Sequence, residues 1–127
     1  VLKFLLDTDI LGEHLALRDE RGNSVWESLV SQGICFTTVL NATELFLKAS
    51  NKQENDAVLA ALSAIHVLGV HQRYALLTGE LREITENPRD LLFLSVAAAN
   101  KLPIVTFRPE RYGAYAVPFT KSTERIE

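Results

Sequence analysis

At 127 residues, 47% hydrophobic and 23% charged, the chain has the profile of one folded domain spanning residues 1–127, with enough apolar material for one core. A formal net charge of −3 excludes a strongly basic nucleic-acid module, while a local basic rim around an acidic site stays compatible with it. The one cysteine, Cys35, excludes an internal disulfide and suits a reducing, cytoplasmic setting; no run is apolar enough to span a membrane, and no signal peptide is expected.

Leu2-Lys3-Phe4-Leu5-Leu6 reads as a strand buried in a sheet, and it stops at the carboxylate of Asp7. Asp9 stands where a helix begins, and that helix is predicted over residues 9–19, with Gly22-Asn23 as its stop. Ser24 and Glu27 form a capping box for a short helix with Val25, Trp26, Leu29 and Val30 on one face, ending at Gly33. Ile34-Cys35-Phe36-Thr37 is a second strand, in which Cys35 is expected to be inert core. Residues 38–50 read as a helix whose apolar face carries Val39, Thr43, Phe46 and Leu47. Residues 51–55 are polar and turn-like, 56–64 helical, and 65–70 a third strand. A helix over 71–86 carries Tyr74, Leu77, Leu81 and Ile84.

Asn87-Pro88-Arg89-Asp90 is a helix start, with Asn as cap, Pro at the first position and an acid in the first turn. The helix over 91–100 is apolar nearly all round, which predicts burial on most sides. Ile104-Val105-Thr106 is a fourth strand, 109–113 a turn, 115–117 a short fifth strand, and 120–127 a polar, fraying tail. This alternation predicts an α/β fold: a three-layer α/β/α sandwich with a central parallel sheet of about five strands and strand one near its middle.

In such sheets ligands bind outside the carboxyl ends of the strands. Asp7 and Thr106 end strands there, Glu44 follows the second strand on a helix, and Asp90 opens the buried helix. Three crowded carboxylates repel one another, and a divalent cation removes that cost. Mg²⁺ or Mn²⁺ takes oxygen ligands and can support in-line attack on a phosphodiester. Simpler roles stand beside this reading. Asp9 can cap the first helix, Glu44 can be solvated beside Asn41 and Lys48, and Asp90 suits a helix dipole whatever the function.

Taken in order, Asp7-Thr8-Asp9-Ile10-Leu11, Thr37-Thr38-Val39-Leu40-Asn41-Ala42-Thr43-Glu44-Leu45, Pro88-Arg89-Asp90 and Leu102-Pro103-Ile104-Val105-Thr106 resemble the PIN domain. The nearest likeness is to VapC-like toxins of toxin–antitoxin pairs, over about residues 2–117. The resemblance implies a Mg²⁺- or Mn²⁺-dependent ribonuclease with Asp7, Glu44 and Asp90 as metal ligands and Thr106 as a polar neighbour of the site. Asp9 falls where the family has Asn or Asp, with a role in orienting a water or the first helix. The resemblance further implies RNA as substrate, a homodimer, and an antitoxin that docks an apolar helix and an arginine near the acids. Candidate docking faces are those of residues 10–17 and 25–30.

The chain departs from the family pattern at Arg108, where many members carry a fourth acid, and Glu110 lies past a proline. Arg89, Arg108 and Arg111 are candidate phosphate contacts or solvated surface residues. His14, His66 and His71 show no ligand spacing. A haloacid-dehalogenase-like phosphatase with Asp7 as nucleophile needs a later acidic pair that Thr106-Phe107-Arg108 does not offer. A P-loop or dinucleotide site lacks its glycine-rich turn after strand one. The remaining alternative is a degenerate PIN-like domain that binds RNA or a protein without catalysis.

Overall fold

Strand β1 (Leu2–Leu6) alternates its side chains between two apolar layers, and the rest of the chain is arranged on either side of it. The computed structural model describes residues 1–17, 23–117, 119–120 and 125–126, with side chains described through Val117. The elements follow as α1 (Thr8–Leu17), α2 (Val25–Val30), β2 (Gly33–Thr38), α3 (Val39–Lys48), α4 (Lys52–Ser63), β3 (His66–Leu68), α5 (Gln72–Leu81), α6 (Pro88–Asn100) and β4 (Ile104–Val105). Two short 3₁₀ turns, Pro109–Arg111 and Gly113–Tyr115, come next, then β5 (Phe119–Thr120) and β6 (Arg125–Ile126).

The main sheet is parallel, in the order β3-β2-β1-β4, so β1 is internal as expected. Winding runs from β1 through β2 to β3 on one side, and then β4 pairs on the other side of β1. The chain therefore reverses beside β1, which puts a crevice at its carboxyl end. Phe4 and Leu6 face one core with Ile10, Leu11, Trp26, Leu29, Leu45 and Val58, supplied by α1 to α4. Leu5 faces the other core with Tyr74, Phe93, Leu94, Val96 and Tyr112, supplied by α5, α6 and the segment after β4. The strand alternation of period two thus decides which helices cover which face.

Several boundaries differ from those read in the sequence. The fifth strand is reduced to a single parallel bridge between Ile104 and Ala116, with the Val117 amide on the Ile104 carbonyl at 2.8 Å. The 3₁₀ turn runs through Tyr115 and so takes the first residue of the expected strand. The polar stretch 51–55 is the cap and first turn of α4, since the Asn51 side chain accepts from the Glu54 amide at 2.8 Å. Helix α5 stops at Leu81 rather than 86, with Arg82 as its C-cap. The tail holds a small antiparallel pair, Phe119 with Ile126 and Thr120 with Arg125, and β6 lies near α2. Residues 18–22 lie outside the described residues, and with them the end of the first helix and its glycine stop.

The largest revision concerns α3. Val39 and Leu47 are exposed, and the buried positions are Asn41 and Leu45. Of the face that looked apolar, Val39, Thr43 and Leu47 point outward while Phe46 packs partly against the core, and a polar residue, Asn41, points in. Hydropathy cannot find this face, because what Asn41 meets is a carboxylate rather than a core.

Cys35 is buried against α1–α4, and burial pushes its thiol up to about 12. At pH 8 its thiolate fraction is then about one in ten thousand. The native protein is expected to resist alkylation by iodoacetamide at pH 8 and to react once unfolded in urea. Reactivity would rise only as pH climbs toward that shifted value. Rapid labelling of the native protein at pH 8 would contradict this placement.

Candidate active site

β1 delivers Asp7 to the carboxyl edge in a fixed pose. The Asp7 amide still donates to the Val105 carbonyl at 3.0 Å, while its carbonyl already accepts from the Ile10 amide at 3.1 Å. The residue thus joins strand to helix, and it is 1% exposed. Oδ1 accepts from the Thr8 amide at 2.8 Å, Asn41 Nδ2 at 3.2 Å and Arg89 Nη2 at 2.7 Å. Oδ2 accepts from the Tyr112 hydroxyl at 2.7 Å and the Thr106 hydroxyl at 3.3 Å. A buried carboxyl group so surrounded by donors is held in one orientation.

β2 ends in Thr38, which caps α3 through a reciprocal box: its hydroxyl accepts from the Asn41 amide at 3.4 Å, and Asn41 Oδ1 accepts from the Thr38 amide at 3.0 Å. This leaves Asn41 Nδ2 to donate to Asp7 Oδ1 and to Thr8 Oγ1, the latter at 2.9 Å. Glu44, one turn further on, accepts from the Thr8 hydroxyl and from Arg89. At the start of α6, the Asn87 side chain accepts from the Asp90 amide at 3.0 Å, and Pro88 occupies the first turn. Arg89 and Asp90 are thereby aimed at the same crevice.

Asp7, Glu44 and Asp90, brought from β1, α3 and α6, converge on the guanidinium of Arg89. Its Nη2 donates to Asp7 Oδ1 and Glu44 Oε1, both at 2.7 Å, and its Nε to Glu44 Oε2 at 3.1 Å. Nη1 donates to Asp90 Oδ1 at 3.1 Å and to the Tyr112 hydroxyl at 2.6 Å. Asp90 is held from the other side by Arg111, whose Nη2 lies 2.8 Å from Oδ1. Burial opposes the Arg89 charge, but the hydrogen bonds and charges of Glu44 and Asp7 overcome it and raise its pKa. Burial likewise pushes Glu44 upward, and the Arg89 and Thr8 hydrogen bonds and the Arg89 charge outweigh it, so Glu44 sits below the usual carboxyl range. Burial, then the Asp7 charge, raises the Tyr112 phenol, which stays protonated and can donate to Asp7.

Thr106 is fully buried just past β4, its hydroxyl within reach of Asp7 Oδ2 at 3.3 Å and Asp9 Oδ2 at 2.9 Å. Asp9 Oδ2 also accepts from the Phe107 amide at 3.0 Å, which ties α1 to the segment after β4. Its Oδ1 is buried with no hydrogen-bond partner among the described residues. Burial and then Asp7 raise the Asp9 pKa, against its hydrogen bonds. Glu110 is exposed and stands 3.9 Å from Arg108, and neither is hydrogen-bonded to the three acids.

The crevice is a cleft of about 360 Å³, with Asp7, Asp9, Glu44 and Arg89 inside and Lys48, Arg108 and Arg111 at its basic rim. Its donor chemistry fits a hard divalent cation: oxygen ligands only, three buried or half-buried carboxylates, and an orphaned Asp9 oxygen beside them. Its present arrangement is closed around an arginine, and among the described residues no group of three acids, histidines or cysteines stands so as to hold an ion directly. Sequence reasoning missed Tyr112, Asn41 and Thr8 as partners of Asp7 and did not place Arg89 between the acids. The only signal for Asn41 was its spacing of three from the capping Thr38. His14 bonds Ser24 at 2.8 Å, while His66 and His71 lie against Phe36 and Tyr74.

Because Asn41 both closes the Thr38 cap and donates to Asp7, Asn41→Ala is expected to destabilise the fold by about 1–3 kcal/mol through unmet buried groups. Urea denaturation measures this. A loss below about 0.5 kcal/mol would mean that Asp7 does not depend on that donor.

The PIN domain family model matches residues 4–110. Among solved structures, a toxin–antitoxin complex from Klebsiella pneumoniae superposes with a TM-score of 0.73 at 18% identity, covering 91% of this chain and 96% of that one. VapBC2 from Rickettsia felis, bound to a DNA fragment from its promoter, gives 0.71 at 18% identity, again over 91% and 96%. DNA-bound VapBC from Salmonella typhimurium gives 0.68 at 18% identity over 88% and 91%. No curated protein matches the sequence. At these identities the solved structures speak to the fold alone, and they agree with the parallel sheet described above.

Proposed function

This chain belongs to the PIN domain family, and from that premise we propose that it is a divalent-metal-dependent endoribonuclease, the toxin of a toxin–antitoxin pair. The observation that carries the reading is the convergence of Asp7, Glu44 and Asp90, far apart in sequence, on one cationic point at the carboxyl edge of the sheet. These three side chains would hold Mg²⁺ or Mn²⁺. When bound, such an ion supplies Lewis acidity toward a phosphodiester oxygen and acidifies a water for attack.

The protein's own residues do the positioning. Thr8, Asn41, Thr106 and Tyr112 fix both oxygens of Asp7. Lys48 and Arg108 at the exposed rim offer charge to an RNA backbone, which a chain of net negative charge needs locally.

The antitoxin is proposed to use the apolar groove of about 310 Å³ bounded by Gly12, Leu15, Ala16, Leu45, Ala49 and Val58. The alternative face at 25–30 is largely spent, since Val25, Trp26 and Leu29 are buried in the core. A homodimer belongs to the same reading.

A second reading is a non-catalytic PIN domain that binds RNA or a protein. It is favoured by one observation: two guanidinium groups already pair with the three acids. The deciding experiment is cleavage of a mixed RNA pool with Mg²⁺ or Mn²⁺, beside a chelator control and Asp90→Asn. Cleavage lost in both controls supports the nuclease. Cleavage that survives Asp90→Asn removes Asp90 from the site, and a folded protein that neither cleaves RNA nor binds Mn²⁺ supports the non-catalytic domain.

A further inference from the structure

We propose that Arg89 is an internal stand-in for the metal: its guanidinium and a divalent cation compete for the same carboxylate oxygens, so that the free protein is held in a metal-excluding state. The inference rests on the metal-site reading above and adds to it a residue of this chain that opposes loading. Asp7 Oδ1 and Glu44 Oε1 both lie 2.7 Å from one nitrogen, Arg89 Nη2. A Mg²⁺ ion needs oxygens at about 2.1 Å around a single point. The point between these two oxygens already holds a nitrogen, so the two cations exclude each other sterically as well as by charge.

The arginine is built into its place. All three of its nitrogens are used, toward three acids and the Tyr112 hydroxyl, and its guanidinium carbon lies 5.1 Å from the centroid of the Phe93 ring one turn along α6. This uses the planar fork of arginine, which can satisfy several carboxylates at once where a lysine ammonium cannot. The charge balance still leaves room for exchange. Three carboxylates face Arg89 and Arg111, which leaves the cluster one negative charge. Replacing Arg89 by a divalent ion makes it neutral. The side chain is 21% exposed and opens onto the cleft, so the displaced guanidinium has a route outward. Loading is then a two-state choice, and the apparent metal affinity is reduced by the fraction of molecules with Arg89 inside.

The test is a calorimetric titration of Mn²⁺ into the purified protein, read without RNA, for the wild type, Arg89→Met, Arg89→Lys and the double variant Arg89→Met with Asp90→Asn. Arg89→Met is expected to bind Mn²⁺ at least about tenfold more tightly than the wild type, which corresponds to Arg89 inside in nine molecules of ten or more. Arg89→Lys should gain less, and the double variant should lose the gain. In metal-free buffer Arg89→Met should melt at a lower temperature, and Mn²⁺ should restore it by more than it raises the wild type. Should Arg89→Met not fold without metal, the Arg89→Lys gain carries the comparison. Equal or weaker binding in both Arg89 variants, with the wild type binding, would overturn the competition while leaving the metal site standing. Binding in none of the variants would overturn the metal reading itself, and the competition with it.

Discussion

Replacing Asp7 with Asn is expected to lower metal-dependent RNA cleavage by at least about a hundredfold, beyond the range seen when a group one step removed from a metal is lost. It should also destabilise the fold by about 3 kcal/mol, in the range for breaking a buried ion pair from one side. The two effects share one cause. Asp7 is 1% exposed and accepts from five donors on two oxygens. An amide keeps one acceptor oxygen and turns an NH₂ toward the other donors. On the Oδ1 side it would meet the Thr8 amide, Asn41 Nδ2 and the Arg89 guanidinium, none of which can accept. On the Oδ2 side it would meet hydroxyls, but the Tyr112 oxygen already receives Arg89 Nη1 at 2.6 Å. Urea denaturation and a cleavage assay run at a temperature where the variant is folded separate the two effects. A folded variant with undiminished cleavage would remove Asp7 from the chemistry, and one with unchanged stability would mean that the donors relax to solvent.

The same network shows what the sequence could and could not reveal. The parallel sheet with β1 inside was readable because apolar runs and helix signals alternate along the whole chain, and an internal first strand follows from short crossovers whose winding direction reverses after the second or third strand. Asp7 stood out because a carboxylate ends an apolar strand, and Asp90 because Asn87-Pro88 announces a helix start. Arg89 was not readable as the hub. An arginine beside an acid in a first helical turn is an ordinary surface pattern, and only the tertiary fold brings Asp7 and Glu44 onto it. Tyr112 lay in a Pro-Glu-Arg-Tyr-Gly stretch read only as a turn, yet its ring is fully buried and its hydroxyl bridges Asp7 and Arg89. On α3, hydropathy selected Val39 and Leu47, whereas Asn41 faces inward because a buried anion rewards a donor there. The misread positions are therefore polar residues buried by partners distant in sequence, together with element ends set by caps and prolines.

Phe93→Ala is the core change expected to cost most near the site, about 3–5 kcal/mol for the loss of a fully buried aromatic ring. That corresponds to a melting temperature lower by roughly 10 °C or more in a domain of this size. Phe93 fills the layer beneath the crevice. It packs with Leu5 of β1, its ring centroid is 5.3 Å from that of Tyr112, and Arg89 stands over its face. The void left by alanine would remove the support of Tyr112 and the ring under Arg89 together, so both cationic and phenolic partners of Asp7 lose their fixed positions. Phe93→Leu keeps most of the volume and is expected to cost less than about 1.5 kcal/mol. Thermal melts of the two variants give the stability difference, and the fluorescence of the buried Trp26, which belongs to the opposite core, reports whether unfolding is one cooperative event. If the two substitutions destabilise equally, the layer beneath the crevice repacks around alanine. A large gap between them, with Trp26 following the same transition, means that the floor of the site and the core across the sheet fold as one unit, so that the geometry around Asp7 is set by the whole sheet rather than by the crevice alone.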